Sequence, residues 1–229
     1  MFIGHFALGY AAKRWAPGVS LAVLFAAAQL ADLLWPVLLA VGLEHVRIFP
    51  GITAATPLEF VSYPYSHSLA MLLLWGALFA WICARRGGNQ RRVFIVVLAL
   101  VVSHWVLDVI THIPDMPLYP GGPKLGLGLW NSVPGTLAVE AAMFAGGVWI
   151  YTRVTRPRDR IGRWALAGVT AFLFIGFIAN ATSPPPPSVA MIWIGALVLG
   201  GLILALAHWT EKHRAIKSGA IGAMGATVR

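Results

Sequence analysis

The sequence predicts an all-α fold, a polytopic membrane bundle of about six transmembrane helices with a short embedded helix at its N-terminus. Composition is the first of three observations behind this. Of 229 residues, 59% are hydrophobic and 11% charged, and the mean hydropathy of +0.76 lies beyond that of water-soluble domains. The second is length: six segments approach the about 20 apolar residues that a ~30 Å hydrocarbon layer demands, at 19–43, 66–84, 93–113, 134–151, 163–181 and 189–209. The third is charge: Lys and Arg are confined to short clusters between these segments.

Ahead of the first span, "FIGHFALGYAA" is apolar but only ~17 Å long at 1.5 Å per residue. It is read as the short embedded helix, with His5 inside the membrane. Lys13 and Arg14 follow the apolar run, which is not the order of a cleaved signal peptide. The first span carries Asp32 and Pro36, the second opens on His67 in "YPYSHSL", the third holds His104, Asp108 and His112, and the fourth holds Glu140. Past Arg163 at their edge, the last two spans have no ionisable residue before His208 and are read as scaffold. One membrane domain over 1–209 is expected, followed by a basic tail, 210–229, without fixed structure.

If all six segments cross, the basic stretches "ARRGGNQRR" (84–92), "RVTRPRDRIGR" (153–163) and "EKHRAIK" (211–217) share one side, which the positive-inside rule makes cytoplasmic. The loops 44–65, 114–133 and 182–188 then face outward, with Glu44, His45 and Glu59 expected to be solvated. The net charge of +9 is a membrane-face pattern, which argues against a nucleic-acid groove. Tryptophans 15, 130, 149, 164 and 209 fall near helix ends, as in an interfacial belt. The single cysteine, Cys83, excludes an intrachain disulfide and a cysteine-based zinc cluster.

The ionisable residues inside the spans point to chemistry. Positions i, i+4 and i+8 of a helix share a face, so His104, Asp108 and His112 should form one polar stripe, closed off by Pro114 with Asp115 in the loop beyond. Asp32, His67 and Glu140 fall at similar depth in the outer half of the bundle. Six such groups cost on the order of 10 kcal/mol in a bilayer, whereas structural zinc binding is worth about 10–16 kcal/mol and takes neutral imidazoles and ionised carboxylates as ligands. A bound divalent metal is therefore expected, zinc first, with manganese or iron also suited to His and carboxylate ligands.

The pieces "GH" (4–5), "ADLLWP" (31–36), "YSHSL" (65–69) and "SHWVLDVITHIPDMPLYPGG" (103–122) resemble, in order, the membrane-bound metal-dependent hydrolase family of YdjM-like proteins. That resemblance implies an integral protein of the bacterial inner membrane. The succession is also similar to the ligand order of zinc-dependent phospholipase C, and carried over residue by residue it implies His5, Asp32, His67, His104, Asp108, His112 and Glu140 as ligands, with Asp108 bridging two ions. Thr136 stands where that family has the His of HxxxE, so one or two ions are expected.

The function expected is a zinc-dependent hydrolase of a lipid or lipid-linked phosphoester at the outer leaflet. Asp32 or Asp115 would be the general base, and Lys124, Trp130 and Asn131 of "GGPKLGLGLWNS" (121–132) would meet the substrate. The same residues would suit a divalent-cation or proton-coupled transporter, or a scaffold stabilised by metal. The ligands cluster toward one face and no internal repeat is evident, which weighs against transport.

Overall fold

The computed structural model describes residues 1–85 and 89–218. The chain opens with α1 (Ile3–Ala12), α2 (Leu21–Ala28) and α3 (Leu30–Ala40), then a hairpin of β1 (His45–Ile48) and β2 (Leu58–Ser62). A single turn, α4 (Pro64–His67), leads into α5 (Leu69–Ala84) and α6 (Gln90–Thr111). Beyond α6 come β3 (Met116–Pro117), β4 (Lys124–Leu125), a 3-10 turn (Leu129–Asn131) and α7 (Val133–Val154). The chain continues through β5 (Thr155–Pro157), α8 (Arg160–Thr182), α9 (Val189–Lys212) and β6 (Arg214–Ile216). It is an all-α polytopic membrane bundle, and its strands are short antiparallel pairs, β1 with β2, β3 with β4 and β5 with β6.

The count of six spans is not confirmed. Among the described residues α6, α7, α8 and α9 are long and apolar enough to cross, and α2 with α3 makes a fifth if that pair, bent by 61°, is one span. The shortfall is the second expected span. Ser68 is extended there, with φ −75° and ψ 146°, and its hydroxyl accepts from the Met71 amide to start a new helix. The apolar run is thus divided between α4 and α5, and the 16 residues of α5 reach only ~24 Å.

The embedded N-terminal helix is present as α1, and every residue of it except Leu8 is buried. It lies against α7 at Gly147, where an added Cβ would sit 2.7 Å from Ala7 Cα. Close backbone approach of this kind is how helices associate in lipid, where apolar burial alone gives little drive. Around it Tyr10 packs edge-on to Phe25, Phe144 and Tyr151, with ring centroids 4.8, 6.0 and 5.2 Å away.

Much of the basic sequence gathers at one end. The Lys13 ammonium donates to the Val19 carbonyl at 2.6 Å and to Glu211. Strand β5 pairs with β6, the Arg158 amide donates to the His213 carbonyl at 2.9 Å, and buried Arg214 donates to Thr155 Oγ1 and the Gly162 carbonyl. Of the expected tail 210–229, Thr210–Lys212 close α9 and Arg214–Ile216 form β6, while 219–229 lie outside the described residues, as do 86–88 of the loop 84–92. Helix α6 starts near this end, since Asn89, Arg92 and Val93 line one cavity with Trp15, Val19 and Ser20. His104 and Asp108 lie ~21 and ~27 Å further along it.

Candidate metal centre

The break between α2 and α3 is the first device that builds the site. Gln29 leaves helical geometry at φ −108°, ψ 14°. The Ala28 carbonyl, turned out of the helical ladder, accepts from His104 Nδ1 at 2.8 Å. With its proton given to that carbonyl, the neutral ring presents the lone pair of Nε2 on its other side. Asp32 follows in the first turn of α3. Pro36, four residues on, has no N–H to give to the Asp32 carbonyl.

The second device is a chain of hydrogen bonds that the sequence does not announce. Glu44, expected to be solvated, is 1% exposed, and its Oε1 accepts from the amides of Tyr65 and Ser66 at 2.8 and 2.9 Å. These are the unsatisfied donors at the start of α4, which has no side-chain cap of its own. Ser66 Oγ donates to Glu44 Oε2 at 2.6 Å and stands 2.7 Å from His67 Nδ1. No pattern in the sequence links position 44 to position 66; only the serine beside the histidine in "YSHSL" hints at it.

The two histidines then meet two carboxylates. His67 Nε2 is 3.4 Å from Asp32 Oδ1 and 4.0 Å from Asp108 Oδ2, and His104 Nε2 is 3.8 and 3.1 Å from the same two oxygens. His104 Nε2 is buried and makes no hydrogen bond. Two groups of ligand atoms lie within 4.8 Å of one another, Asp32–His67–His104 and His5–His104–Asp108. A tetrahedral ion with bonds of 2.0–2.1 Å holds its ligand atoms about 3.3–3.4 Å apart; the contacts of 3.1 and 3.4 Å lie close to such an edge, and those of 3.8 and 4.0 Å are longer. The residues fit a divalent metal ion. The Asp32 side chain is 41% exposed and gives the group an opening, whereas those of His67, His104 and Asp108 are at most 3% exposed.

Residues 1–183 match the family described as YdjM inner membrane protein. The chain belongs to that family. No curated protein and no solved structure matches it. Family and helices together make the chain an integral protein of the inner membrane.

The other expected site residues take distinct places. His5 Nε2 is 3.0 Å from Asp108 Oδ1, and its ring stacks on that of His104 at 3.8 Å and 3°. The Met1 amino nitrogen lies 2.6 Å from the same Asp108 oxygen. Glu140 is in neither group: its Oε2 accepts from the amides of Phe2 and Gly4 at 2.7 and 3.2 Å, capping α1 from α7. Thr136, one turn before it, donates to the Leu129 carbonyl.

His112 closes the expected stripe. Its amide still donates to the Asp108 carbonyl at 2.7 Å and its φ of −69° is helical, but at ψ 153° the chain turns out of α6 ahead of Pro114. His112 Nδ1 bonds Asp115 Oδ1 at 2.9 Å, and the Tyr63 hydroxyl donates to the same oxygen at 2.7 Å. Burial, and after it the Asp115 charge, push the Tyr63 phenol well above its ordinary pKa, so it stays a donor. Trp130, expected in the interfacial belt, packs instead on the His112 ring at 4.1 Å, while Trp15, Trp149, Trp164 and Trp209 are exposed. Lys124 and Asn131 are exposed.

The loop bearing these residues is fastened to the end of α6. The amides of Leu127 and Gly128 donate to the carbonyls of Val109 and His112, both at 2.7 Å. Gly126 makes the contact possible: a Cβ there would overlap the Ile113 carbonyl and lie 2.6 Å from His112 O. Gly126→Val is expected to lift the loop from His112 at a cost of about 2 kcal/mol, seen as a melting temperature in detergent lowered by roughly 5 °C. An unchanged melt would mean that the loop is not held there.

Proposed function

We propose that the protein is a metal-dependent hydrolase acting on a phosphoester of a lipid or lipid-linked substrate, with Asp32, His67, His104 and Asp108 holding one divalent ion, zinc first. One observation carries the reading. Two imidazole nitrogens, one of them without a hydrogen bond, face two carboxylate oxygens across 3.1–4.0 Å, in a site open only on the side of Asp32. Lone pairs opposed in this way repel unless a metal ion or a proton lies between them, and the neutral rings set by the Nδ1 contacts favour the ion. Both candidate groups use His104, whose Nδ1 is given to Ala28, so one ion claims Nε2. The membrane setting and the order of the residues support a lipid phosphoester.

An ion held there would supply Lewis acidity to a phosphoryl oxygen and to the attacking water. The chain's own groups do the rest. Asp32 is turned toward the ligand set, which leaves Asp115 as the acidic residue for proton transfer, acting through His112. An ionised Asp115 takes the proton on His112 Nδ1, so Nε2 is the proton acceptor. Trp130 fixes the plane of that ring, and Lys124 and Asn131, exposed on the same loop, would meet the phosphate and its linked group. The basic end would be cytoplasmic and the centre would face the outer leaflet.

The test is metal content and hydrolysis of a phospholipid in mixed micelles, measured on one preparation. About one ion per chain is expected, with turnover abolished by a chelator. Asp115→Asn is expected to keep the ion and lose roughly 100-fold or more in turnover, because His112 then loses the carboxylate that holds its proton on Nδ1 and leaves Nε2 free as the general base. Metal without cleavage of any phosphoester would favour cation transport or a scaffold. Absence of metal would favour protonated histidines paired with carboxylates, as in a proton-coupled transporter.

A further inference from the structure

We infer that Glu44, acting through the Ser66 hydroxyl, is a positioning residue that fixes the tautomer and aim of His67 for the metal centre. The inference rests on the proposed metal site for its purpose, but the relay itself is legible in the hydrogen bonds. An ionised carboxylate only accepts, so the single proton of Ser66 Oγ goes to Glu44 Oε2 at 2.6 Å. At the 2.7 Å contact with His67, Ser66 Oγ must therefore accept, and His67 Nδ1 carries the proton. The neutral ring is left with its lone pair on Nε2, the atom that faces Asp32 and Asp108.

Burial makes the relay rigid. Glu44, Ser66 and His67 are at most 3% exposed, so water does not compete for the three groups. Glu44 is anchored independently by the Tyr65 and Ser66 amides, and Ser68 stops α4 immediately after His67. A carboxylate behind a ligating imidazole raises the basicity of its free nitrogen, and loss of such a partner typically weakens metal binding 10- to 100-fold. Glu44 and Ser66 together do for His67 what the Ala28 carbonyl does for His104.

Ser66→Ala is the cleaner variant, because both backbone amides remain to hold Glu44 and only the relay is cut. Zinc affinity of the full-length protein in detergent, measured by competition with a chromophoric chelator, is expected to fall about 10- to 100-fold in Ser66→Ala. Ser66→Thr, which keeps the hydroxyl, is expected to restore it. Glu44→Gln should add little to Ser66→Ala in the double variant, since the two act in series. The second readout needs no metal. Nitrogen-15 NMR of metal-free protein should show His67 protonated on Nδ1 in wild type and shifted toward Nε2 protonation in Ser66→Ala.

Unchanged zinc affinity and tautomer in Ser66→Ala, or failure of Ser66→Thr to restore the affinity, would overturn the relay. If the wild type takes up no zinc at all, the proposed function falls, and the tautomer comparison alone still decides whether Glu44 and Ser66 set His67.

Discussion

Asp108→Asn is expected to empty the centre. Four groups converge on this carboxylate: the Met1 nitrogen and His5 Nε2 on Oδ1, at 2.6 and 3.0 Å, and His104 and His67 on Oδ2, at 3.1 and 4.0 Å. Asparagine keeps the shape but loses the charge and turns an N–H toward one set of partners. The loss should exceed the 10- to 100-fold typical of residues behind the ligands, and elemental analysis of the purified variant checks it. A second reading comes from melting. At an ion concentration about 100 times Kd, binding adds about 2.7 kcal/mol, so chelation should lower the wild-type melting temperature by roughly 5–10 °C. The variant should melt alike with and without chelator. Wild-type metal content in Asp108→Asn would end the assignment of this site.

Gly147→Val is expected to be the most damaging change outside the centre. The new side chain would strike the backbone of α1 at Ala7, which cannot yield as a flexible side chain can. Overpacking costs about 1–3 kcal/mol where neighbours adjust, and here the whole of α1 must move. Its displacement would also pull His5 from Asp108 and the amides of Phe2 and Gly4 from Glu140. A melting temperature lower by about 10 °C is expected. Gly146→Val is the control, because a Cβ at that neighbouring position meets nothing within 4 Å. Similar melts for the two variants would show that α1 does not rest on α7 as described.

The bundle and much of its centre can be read from the sequence, for different reasons. Spans announce themselves because hydropathy sums over about 20 residues and tolerates local error, which is why α6 to α9 stand where the apolar runs are. His104 and Asp108 are paired by helical period alone, since both lie within α6. His112 has the same spacing and its amide still bonds the Asp108 carbonyl, but its Nδ1 is taken by Asp115 from the loop that Pro114 opens, a pairing the helical period does not announce. The bend at Gln29 leaves no trace in hydropathy, because an apolar segment scores the same straight or folded. Glu44 is the clearest loss: a carboxylate in a loop looks solvated until the chain brings α4 to it, and that proximity is a property of the fold.

The carbonyl that orients His104 belongs to Ala28, and this has a consequence for genetics. Alanine scanning leaves an alanine untouched, and any other residue placed there supplies the same C=O, so the contact cannot be deleted by replacing the group that makes it. Mutational maps of the protein would mark position 28 as a matter of side-chain size, since Ala28 is 1% exposed, and would pass over its part in the centre. The dependence would surface one residue away, in substitutions at Gln29 that restore a continuous helix and draw the carbonyl back into the ladder.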